Sequence, residues 1–284
     1  MGLCHMTSDS FTTTEPIDTL VTNLLDHEIC HQWTPHMQMP ICQRQLLLNQ
    51  IKPKMKKNIS FTERYNTHVT RSIRSLVQEI WGEQGILWGD FKCQDENCGV
   101  KFYNTRLAGS CLRCGGPIIY LEKLVTDTTS GFSDYCHAVV FSSELNGYLI
   151  FDINTRNFNI INKVENPYAS VCLRTSILAT LLSKQIRIVG RVVLWIGKPK
   201  PKPYKFWYYP GLGEDLAEQQ FKIKVELDQK IKEGKVTEIT GCCATPNDAE
   251  ERSCPFAWIC LSPVMDQLIV EEYKGWLLEN GKGY

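Results

Sequence analysis

The chain has 284 residues, of which 43% are apolar, and its formal net charge is zero. That length and composition fit one large globular domain with an ordinary core. A neutral chain has no overall attraction to nucleic acid, so any basic surface must be local. The sequence contains no apolar run of about 18 residues and no secretory signal, so we expect an intracellular protein without a membrane partner. The compartment would be the cytoplasm or a host cell, or the nucleus in a eukaryote.

Hydrophobic periodicity predicts an alternation of helices and strands. Residues 1–15 are polar and rich in Ser and Thr, which predicts a disordered tail. Apolar residues at helical spacing predict helices over 16–31, 41–51, 61–82, 167–184 and 214–234, with a last helix near the C-terminus. Runs of β-branched and aromatic residues predict strands over 118–125, 137–141, 148–154 and 186–197, with a hairpin turn at Asn146-Gly147. The proline-rich segment 198–210 is interpreted as a loop leading into a core strand, or as lysines and aromatic rings that contact nucleic acid. The order of elements indicates a mixed α/β domain.

Four cysteines in the middle of the chain form two closely spaced pairs. Four residues separate Cys93 from Cys98, two separate Cys111 from Cys114, and twelve lie between the pairs. A glycine follows the second cysteine of each pair and allows a tight turn that points backbone amides at the sulfurs. Four thiolates at this spacing suit tetrahedral Zn²⁺. We therefore predict a closed, structural zinc ribbon over 88–117, the alternative being four unrelated buried thiols.

A second group of cysteines lies near the C-terminus, within 242–260. Five residues separate Cys254 from Cys260, and Cys243 or the adjacent Cys242 would supply a third thiolate. Cys42 is the candidate for the fourth ligand, so the cluster would join the two ends of the chain. Four thiolates of this kind hold iron–sulfur clusters. A second Zn²⁺ and free thiols are the alternatives.

Two aspartates lie near predicted strand ends. The hairpin turn would place Asp134 and Asp152 near the same end of adjacent strands. Because strand side chains alternate, Asp152, Asn154 and Arg156 share one face if the strand continues that far. Two carboxylates in this arrangement could hold Mg²⁺, or they could be plain solvated groups.

These motifs together resemble the RecB-like branch of the PD-(D/E)XK nuclease superfamily, especially its iron–sulfur exonucleases and their phage and archaeal relatives. The resemblance runs from about residue 40 to about residue 262. Two early segments are similar to the Cys-Pro-Arg and Gly-x-x-His motifs of the family, namely Cys42-Gln43-Arg44 and Asn66-Thr67-His68. Three later segments are similar to its Gly-x-x-Asp motif, its D/E-x-K motif and the end of its cysteine cluster, namely 131–134, 152–154 and 254–260. Some relatives also carry an inserted zinc ribbon.

The resemblance implies a restriction-endonuclease-like α/β core, with a central mixed β-sheet flanked by helices. That nuclease-like domain would span 16–284, with the zinc ribbon inserted over 88–117 and the cysteine cluster of 242–260 paired with Cys42. The implied activity is that of a DNA-processing exonuclease acting on ends or single strands, with a larger replication, recombination or repair complex as an implied partner. His68, Asp134 and Asp152 would bind Mg²⁺ or Mn²⁺, and Zn²⁺ and a [4Fe–4S] cluster would be further cofactors.

The chain departs from the family pattern around the proposed catalytic residues. Asn154 stands where the family has a catalytic lysine, and asparagine can only hydrogen-bond. Arg174 and Leu178 stand where it has Gln-x-x-x-Tyr. Arg156 would supply the missing positive charge, with Lys163 and Lys184 as alternatives. The alternative function is therefore a catalytically inactive nuclease fold that binds nucleic acid or serves as a scaffold subunit. A zinc-ribbon transcription or replication factor is a third hypothesis.

Overall fold

The computed structural model describes residues 61–128, 132–198, 204–239 and 262–279, together with the helical residues Gln43, Leu47 and Leu48. These residues fall into two compact units. The first takes those within Thr62–Ala217, and the second takes those within Gln38–Phe61 and Glu218–Tyr284. Three predicted features lie outside the described residues: the tail over 1–15, the helix over 16–31 and the second cysteine group. That group comprises Cys42, Cys242, Cys243, Cys254 and Cys260.

Five α-helices occur in the described part of the chain: α1 (Phe61–Glu83), α2 (Phe158–Lys163), α3 (Ala169–Leu182), α4 (Glu214–Lys232) and α5 (Met265–Glu279). The structure confirms the helices predicted over 61–82, 167–184 and 214–234 and the last helix. The six-residue α2 was not predicted. After α1 the chain turns at Gly85, whose φ of 67° lies in the left-handed region that glycine adopts without strain.

The first three strands form a small antiparallel sheet from the predicted ribbon and the four residues that follow it. They are β1 (Trp88–Cys93), β2 (Lys101–Arg106) and β3 (Ile118–Leu121), in the order β2-β1-β3. One face of this sheet carries Phe91 and Tyr120, whose rings meet edge to face with centroids 5.5 Å apart. Both are buried in the main core, so the ribbon packs on the rest of the first unit through this face.

The next two strands, β4 (Lys123–Asp127) and β5 (Phe132–Cys136), pair with each other as an antiparallel ribbon. The single strand predicted over 118–125 is therefore two strands, which belong to different sheets. Glu122 lies at the break, where it forms an ion pair with Arg74 of α1 at 3.0 Å and accepts a hydrogen bond from Gln78. Those side-chain contacts to α1 coincide with the point where the chain leaves one sheet for the other.

The largest sheet has the order β6-β7-β8-β9, where β6 is Ala138–Ser142, β7 is Gly147–Asn157, β8 is Ile188–Lys198 and β9 is Tyr204–Pro210. β7 is antiparallel to β6 and parallel to β8, and β8 is antiparallel to β9, so the sheet is mixed. The predicted turn at Asn146-Gly147 ends the β6–β7 loop, and Asn146 has a φ of 45°. α2 and α3 form the crossover between the parallel strands, as a parallel connection requires.

The alternation of side chains on β7 separates two environments. Phe151 and Ile153 pack in the main core with Val77 and Trp81 of α1. The other face of the sheet meets α3, and Trp195 of β8 packs there with its neighbours. Because β7 is covered on both faces, much of its sequence is apolar. Its polar side chains are exceptions within a buried strand.

In the described part of the proline-rich segment the structure has a core strand, β9, in agreement with the first of the two sequence interpretations. Trp207 is buried, and its indole Nε1 donates to the carbonyl of Glu165 at 2.8 Å. Lys205 donates through Nζ to the carbonyl of Val164 at 2.9 Å. Since Tyr204 and Phe206 also pack against the main core, these aromatic rings are structural and do not form a free stacking surface.

The second unit has its own small core. Leu47 and Leu48 are fully buried there with Leu227 of α4 and Ile269 of α5, and Ile239 joins them. Apolar contact therefore brings together an early segment and two late segments of the chain. Among the described helices, none is long and apolar enough to cross a membrane.

Candidate functional sites

The four cysteines of the ribbon converge on one point. The sulfurs of Cys93, Cys98, Cys111 and Cys114 all lie within 4.8 Å of one another. Cys93 Sγ is 3.5 Å from Cys114 Sγ, and Cys98 Sγ is 3.8 Å from Cys111 Sγ. Zinc–sulfur bonds of about 2.3 Å would place the corners of a tetrahedron about 3.8 Å apart. The four side chains therefore fit a metal ion such as Zn²⁺.

The turns around the ribbon cysteines have the predicted geometry. Gly99 and Gly115 have φ values of 52° and 75°, which side chains rarely tolerate. Backbone amides point at two sulfurs, since Arg113 donates to Cys111 and Gly116 donates to Cys114, each at 3.4 Å. Such donors stabilise thiolates, which are the form that binds metal.

The ribbon thiols of Cys93 and Cys111 differ in how readily they ionise. Burial and the neighbouring thiols raise the pKa of Cys93 to about 12. Burial opposes ionisation of Cys111 as well, but hydrogen bonds from the amides of Cys114 and Arg113 outweigh it and lower its pKa to about 7. A divalent metal would favour ionisation of both thiols, because it attracts all four thiolates at once.

The second site lies between β5, β7 and α3, where a guanidinium group bridges two carboxylates. Arg174 of α3 donates through Nε to Asp134 Oδ2 at 2.6 Å and through Nη2 to Asp134 Oδ1 at 3.3 Å. Its Nη1 donates to Asp152 Oδ1, and its Nη2 also donates to the carbonyl of Tyr135. The two carboxylates do converge, but the group between them is an arginine of the same chain. We call Asp134, Asp152 and Arg174 the bridged acid pair.

Asp152 is the buried member of the pair, with 2% of its side chain exposed, against 35% for Asp134. Burial raises the pKa of Asp152, and the nearby Arg174 charge opposes that rise. Asn154, two residues further along the same face of β7, donates to Asp152 Oδ2. The carboxylates in turn raise the pKa of Arg174 against the effect of its burial. The guanidinium is thus held by both carboxylates and by the Tyr135 carbonyl.

His137 contacts the buried carboxylate of Asp152. Its Nδ1 accepts the amide of Ile153 at 3.0 Å and lies 3.2 Å from Asp152 Oδ1. Burial, together with the positive charges of Arg174 and Arg74, lowers the pKa of His137 to about 2, so its ring is neutral. This side-chain bond to Ile153 lies just beyond the last pair of the β6–β7 ladder, which is Ala138 and Phe151.

This break changes the predicted strand arrangement. Asp134 was expected on a strand adjacent to that of Asp152, but β5 pairs with β4 and the main sheet begins after His137. Arg174, and no shared ladder, connects the two aspartates. Asp152, Asn154 and Arg156 do share a face, because β7 continues to Asn157.

The other two predicted catalytic residues do not join the acids. His68 is exposed on α1, while Thr70, two residues further on, faces the sheet and contacts Thr155 with hydroxyl oxygens 2.6 Å apart. Thr155 is on the opposite face of β7 from Asp152. Arg156 places its guanidinium 4.9 Å from the Trp195 ring and 5.3 Å from the Tyr168 ring, so it is held by aromatic stacking.

Sequence reasoning left two members of this site out of the catalytic set, Arg174 and His137. The signal for Arg174 was its position, since the sequence resemblance aligns it with a glutamine. The signal for His137 was its place three residues after Asp134. Neither signal shows by itself that these side chains contact the acids, because the contacts depend on how α3 and β7 pack.

Comparison with known proteins identifies no relative for this chain: no family model matches, and neither a curated protein nor a solved structure matches it.

Proposed function

We propose that this protein binds nucleic acid through a nuclease-like core and does not cleave it. The observation that carries the proposal is the bridged acid pair, in which the Arg174 guanidinium lies between the two carboxylates. In the resembled nucleases that place belongs to a divalent metal ion. A positive side chain already satisfies the carboxylates here, so the residues present do not fit Mg²⁺ or Mn²⁺.

The surrounding residues support the same proposal. Hydrolysis by a metal-dependent nuclease needs a cation to generate hydroxide and to stabilise charge on the phosphate. Arginine cannot supply hydroxide, because its pKa is too high for it to act as a base. Asn154 carries no charge, and its amide is engaged by Asp152. Arg156 stacks on Trp195 and Tyr168 instead of approaching the acids.

The fold supports the nuclease-like part of the proposal. Its main sheet is mixed, with α1 on one face and α3 on the other, as a restriction-endonuclease-like core would have. The DNA partner is carried by the resemblance, since the arginines on the face of the acids are already engaged: Arg156 by aromatic rings and Arg174 by carboxylates. The protein would act on DNA ends or single strands as a binding subunit of a DNA-processing complex.

The test replaces Arg174 by the glutamine of the family. Removing Arg174 leaves the buried Asp152 carboxylate without its cation, so Arg174→Gln should lower the melting temperature. Mn²⁺ should then raise it again, by the equivalent of about 2.7 kcal/mol at a hundredfold excess over Kd. The wild type should show no such response. Arg174→Gln combined with Asp134→Asn is the matched control, and it should lose the Mn²⁺ response because one carboxylate is gone.

Activity is the second measurement. The wild type should bind but not cut labelled single-stranded DNA, while Arg174→Gln combined with Asn154→Lys should gain Mn²⁺-dependent cleavage. A wild type that cuts DNA with Mg²⁺ or Mn²⁺, and stops when Asp134 becomes Asn, would contradict the proposal. That result would instead support the metal-dependent exonuclease, which the convergence of Asp134 and Asp152 favours as the second candidate.

Zn²⁺ in the ribbon would be structural in either case, because four thiolates leave no open coordination position. The iron–sulfur cluster remains a proposal for the cysteines outside the described residues.

A further inference from the structure

The outer face of the ribbon sheet carries a row of side chains that the bridged acid pair does not explain. Lys92 on β1 lies directly opposite Lys101 on β2 and opposite Ile119 on β3. Tyr103 is two residues from Lys101 and lies at a β-bulge, where Tyr103 and Asn104 together lie opposite Asp90. Both lysines are exposed, Tyr103 is 63% exposed and Ile119 is 43% exposed. We call these four residues the ribbon face.

The two lysines repel each other across the strands, since like charges at directly opposed positions destabilise a sheet. Neither forms an ion pair with a residue that the structure describes. Two neighbouring carboxylates are occupied elsewhere. Asp90 binds Lys123 at 3.1 Å, and Asp95 accepts the amide of Asn97 at 2.8 Å. The paired positive charges therefore lack a counter-charge among the described side chains.

We propose that the ribbon face binds the backbone and bases of single-stranded DNA. Adjacent strands are about 4.8 Å apart, so the two long side chains can reach successive phosphates. The exposed Tyr103 ring and the neighbouring Ile119 provide an apolar surface against which a base can stack. The opposite face of the same sheet is closed by Phe91 and Tyr120 in the core, so the outer face alone is available.

A competing role for the lysines is to offset the zinc centre, because four thiolates around Zn²⁺ leave a formal charge of about −2. Lys92 precedes Cys93, but strand alternation directs the two side chains to opposite faces of β1. The cysteine side is buried and the lysine side is exposed. The arrangement therefore favours an external anion over internal neutralisation.

The proposal adds a second contact surface and rests on the proposed DNA binding, so the experiment has to separate the two. The probe is a labelled oligothymidylate, and its affinity for the full chain is measured at several salt concentrations. Lys92→Gln combined with Lys101→Gln should reduce the slope of log K against log salt by about 1.4, since each contact with a single strand contributes about 0.7. Tyr103→Ala should weaken binding about 5- to 150-fold, as loss of one stacked base does.

Matched control variants remove two lysines or one aromatic ring from surfaces outside the ribbon face. Lys222→Gln with Lys274→Gln takes two exposed lysines from α4 and α5, and Tyr65→Ala takes an exposed ring from α1. These variants should bind like the wild type. Lys92→Arg with Lys101→Arg should keep the salt slope, because the charges remain.

The outcomes distinguish the two proposals. Unchanged affinity and slope in the Lys92/Lys101 glutamine variant, with a wild type that binds, would overturn the ribbon face and leave the proposed function standing. Loss of zinc together with loss of binding in that variant would also overturn it, because the lysines would then serve the metal centre. A wild type that binds no oligothymidylate would remove both proposals.

Discussion

In the bridged acid pair, one guanidinium bonds two carboxylates that differ in burial. Asp152 is almost fully buried and Asp134 is one-third exposed, and Arg174 reaches both because it projects from α3 toward the end of β5. A buried carboxylate requires a cation or a proton to offset its desolvation. Arg174 supplies the cation within the chain, so the carboxylates are kept in place without a metal.

His137 gives the first prediction at this scale. Its pKa falls from 6.5 to about 2 on folding, so the unfolded chain binds a proton more readily between those values. The neutral His137 ring therefore makes its full contribution to the free energy of unfolding above about pH 6.5. That contribution decreases as the pH falls, by up to about 1.4 kcal/mol per pH unit. His137→Asn keeps an acceptor for the Ile153 amide and removes the titration, so its free energy of unfolding should depend less on pH.

Urea unfolding between about pH 7 and about pH 4.5 measures this dependence. The free energy of unfolding should change more steeply with pH in the wild type than in His137→Asn, by the equivalent of about one bound proton. His68→Asn, at an exposed position of α1, controls for the loss of a histidine as such. Equal slopes for the wild type and His137→Asn would show that the ring is not held neutral by the fold.

The sequence predicted only part of this site, for a physical reason. Asp134, Asp152 and Asn154 follow from local signals, namely a strand pattern and a motif resemblance. Arg174 is 40 residues from Asp134 and 22 from Asp152, so its role is set by tertiary packing. A lone arginine in a helix carries no local mark of the carboxylates it will meet.

At the scale of elements, periodicity and spacing predicted most helices and the ribbon. The cysteine spacing fixes which sulfurs can share a metal, and the structure brings those four together. The strand predicted over 118–125 differs because a tertiary contact decides it: the strand divides at Glu122, which binds Arg74 of α1. The aromatic run after the prolines, for which a core strand was one of two interpretations, joins the sheet as β9.

The ribbon itself gives a prediction about metal removal. Cys111→Ser should lower the zinc content by one ion per chain, because three thiolates and a hydroxyl bind Zn²⁺ less well. Phe91 and Tyr120 extend from the ribbon sheet into the main core, so loss of the metal should destabilise more than the ribbon. We expect a decrease in melting temperature of about 10 °C or more, corresponding to several kcal/mol.

Metal analysis and calorimetry of the same sample test this expectation. Cys172→Ser is the control, since it replaces a buried cysteine outside the ribbon whose sulfur contacts Tyr209. It should retain the zinc. A Cys111→Ser protein with unchanged zinc content and melting temperature would show that the four sulfurs do not form a metal centre.

At the scale of the whole molecule, the core of the second unit bears on the predicted link between the chain ends. Leu47 and Leu48 begin five residues after Cys42, Ile239 lies three residues before Cys242, and Ile269 lies nine after Cys260. These four apolar residues belong to one buried cluster. The described residues that flank the cysteine segments therefore meet, which is the arrangement a cluster held by Cys42, Cys254 and Cys260 would need.

The last prediction concerns the metal at those cysteines. If they hold an iron–sulfur cluster, anaerobically purified protein should be brown and contain about four iron atoms per chain. Cys260→Ser should bleach it and leave the ribbon zinc in place, whereas Cys114→Ser should release that zinc and leave the colour. Each variant should lose only the metal of its own site, because the two sites use separate ligands.

Colourless protein with two zinc ions would identify the second site as a zinc site. A brown Cys42→Ser protein with full iron content would refute the link between the chain ends. Loss of iron from Cys42→Ser, with the ribbon zinc retained, would show instead that the early segment closes the cluster and holds the C-terminal segment against the second core.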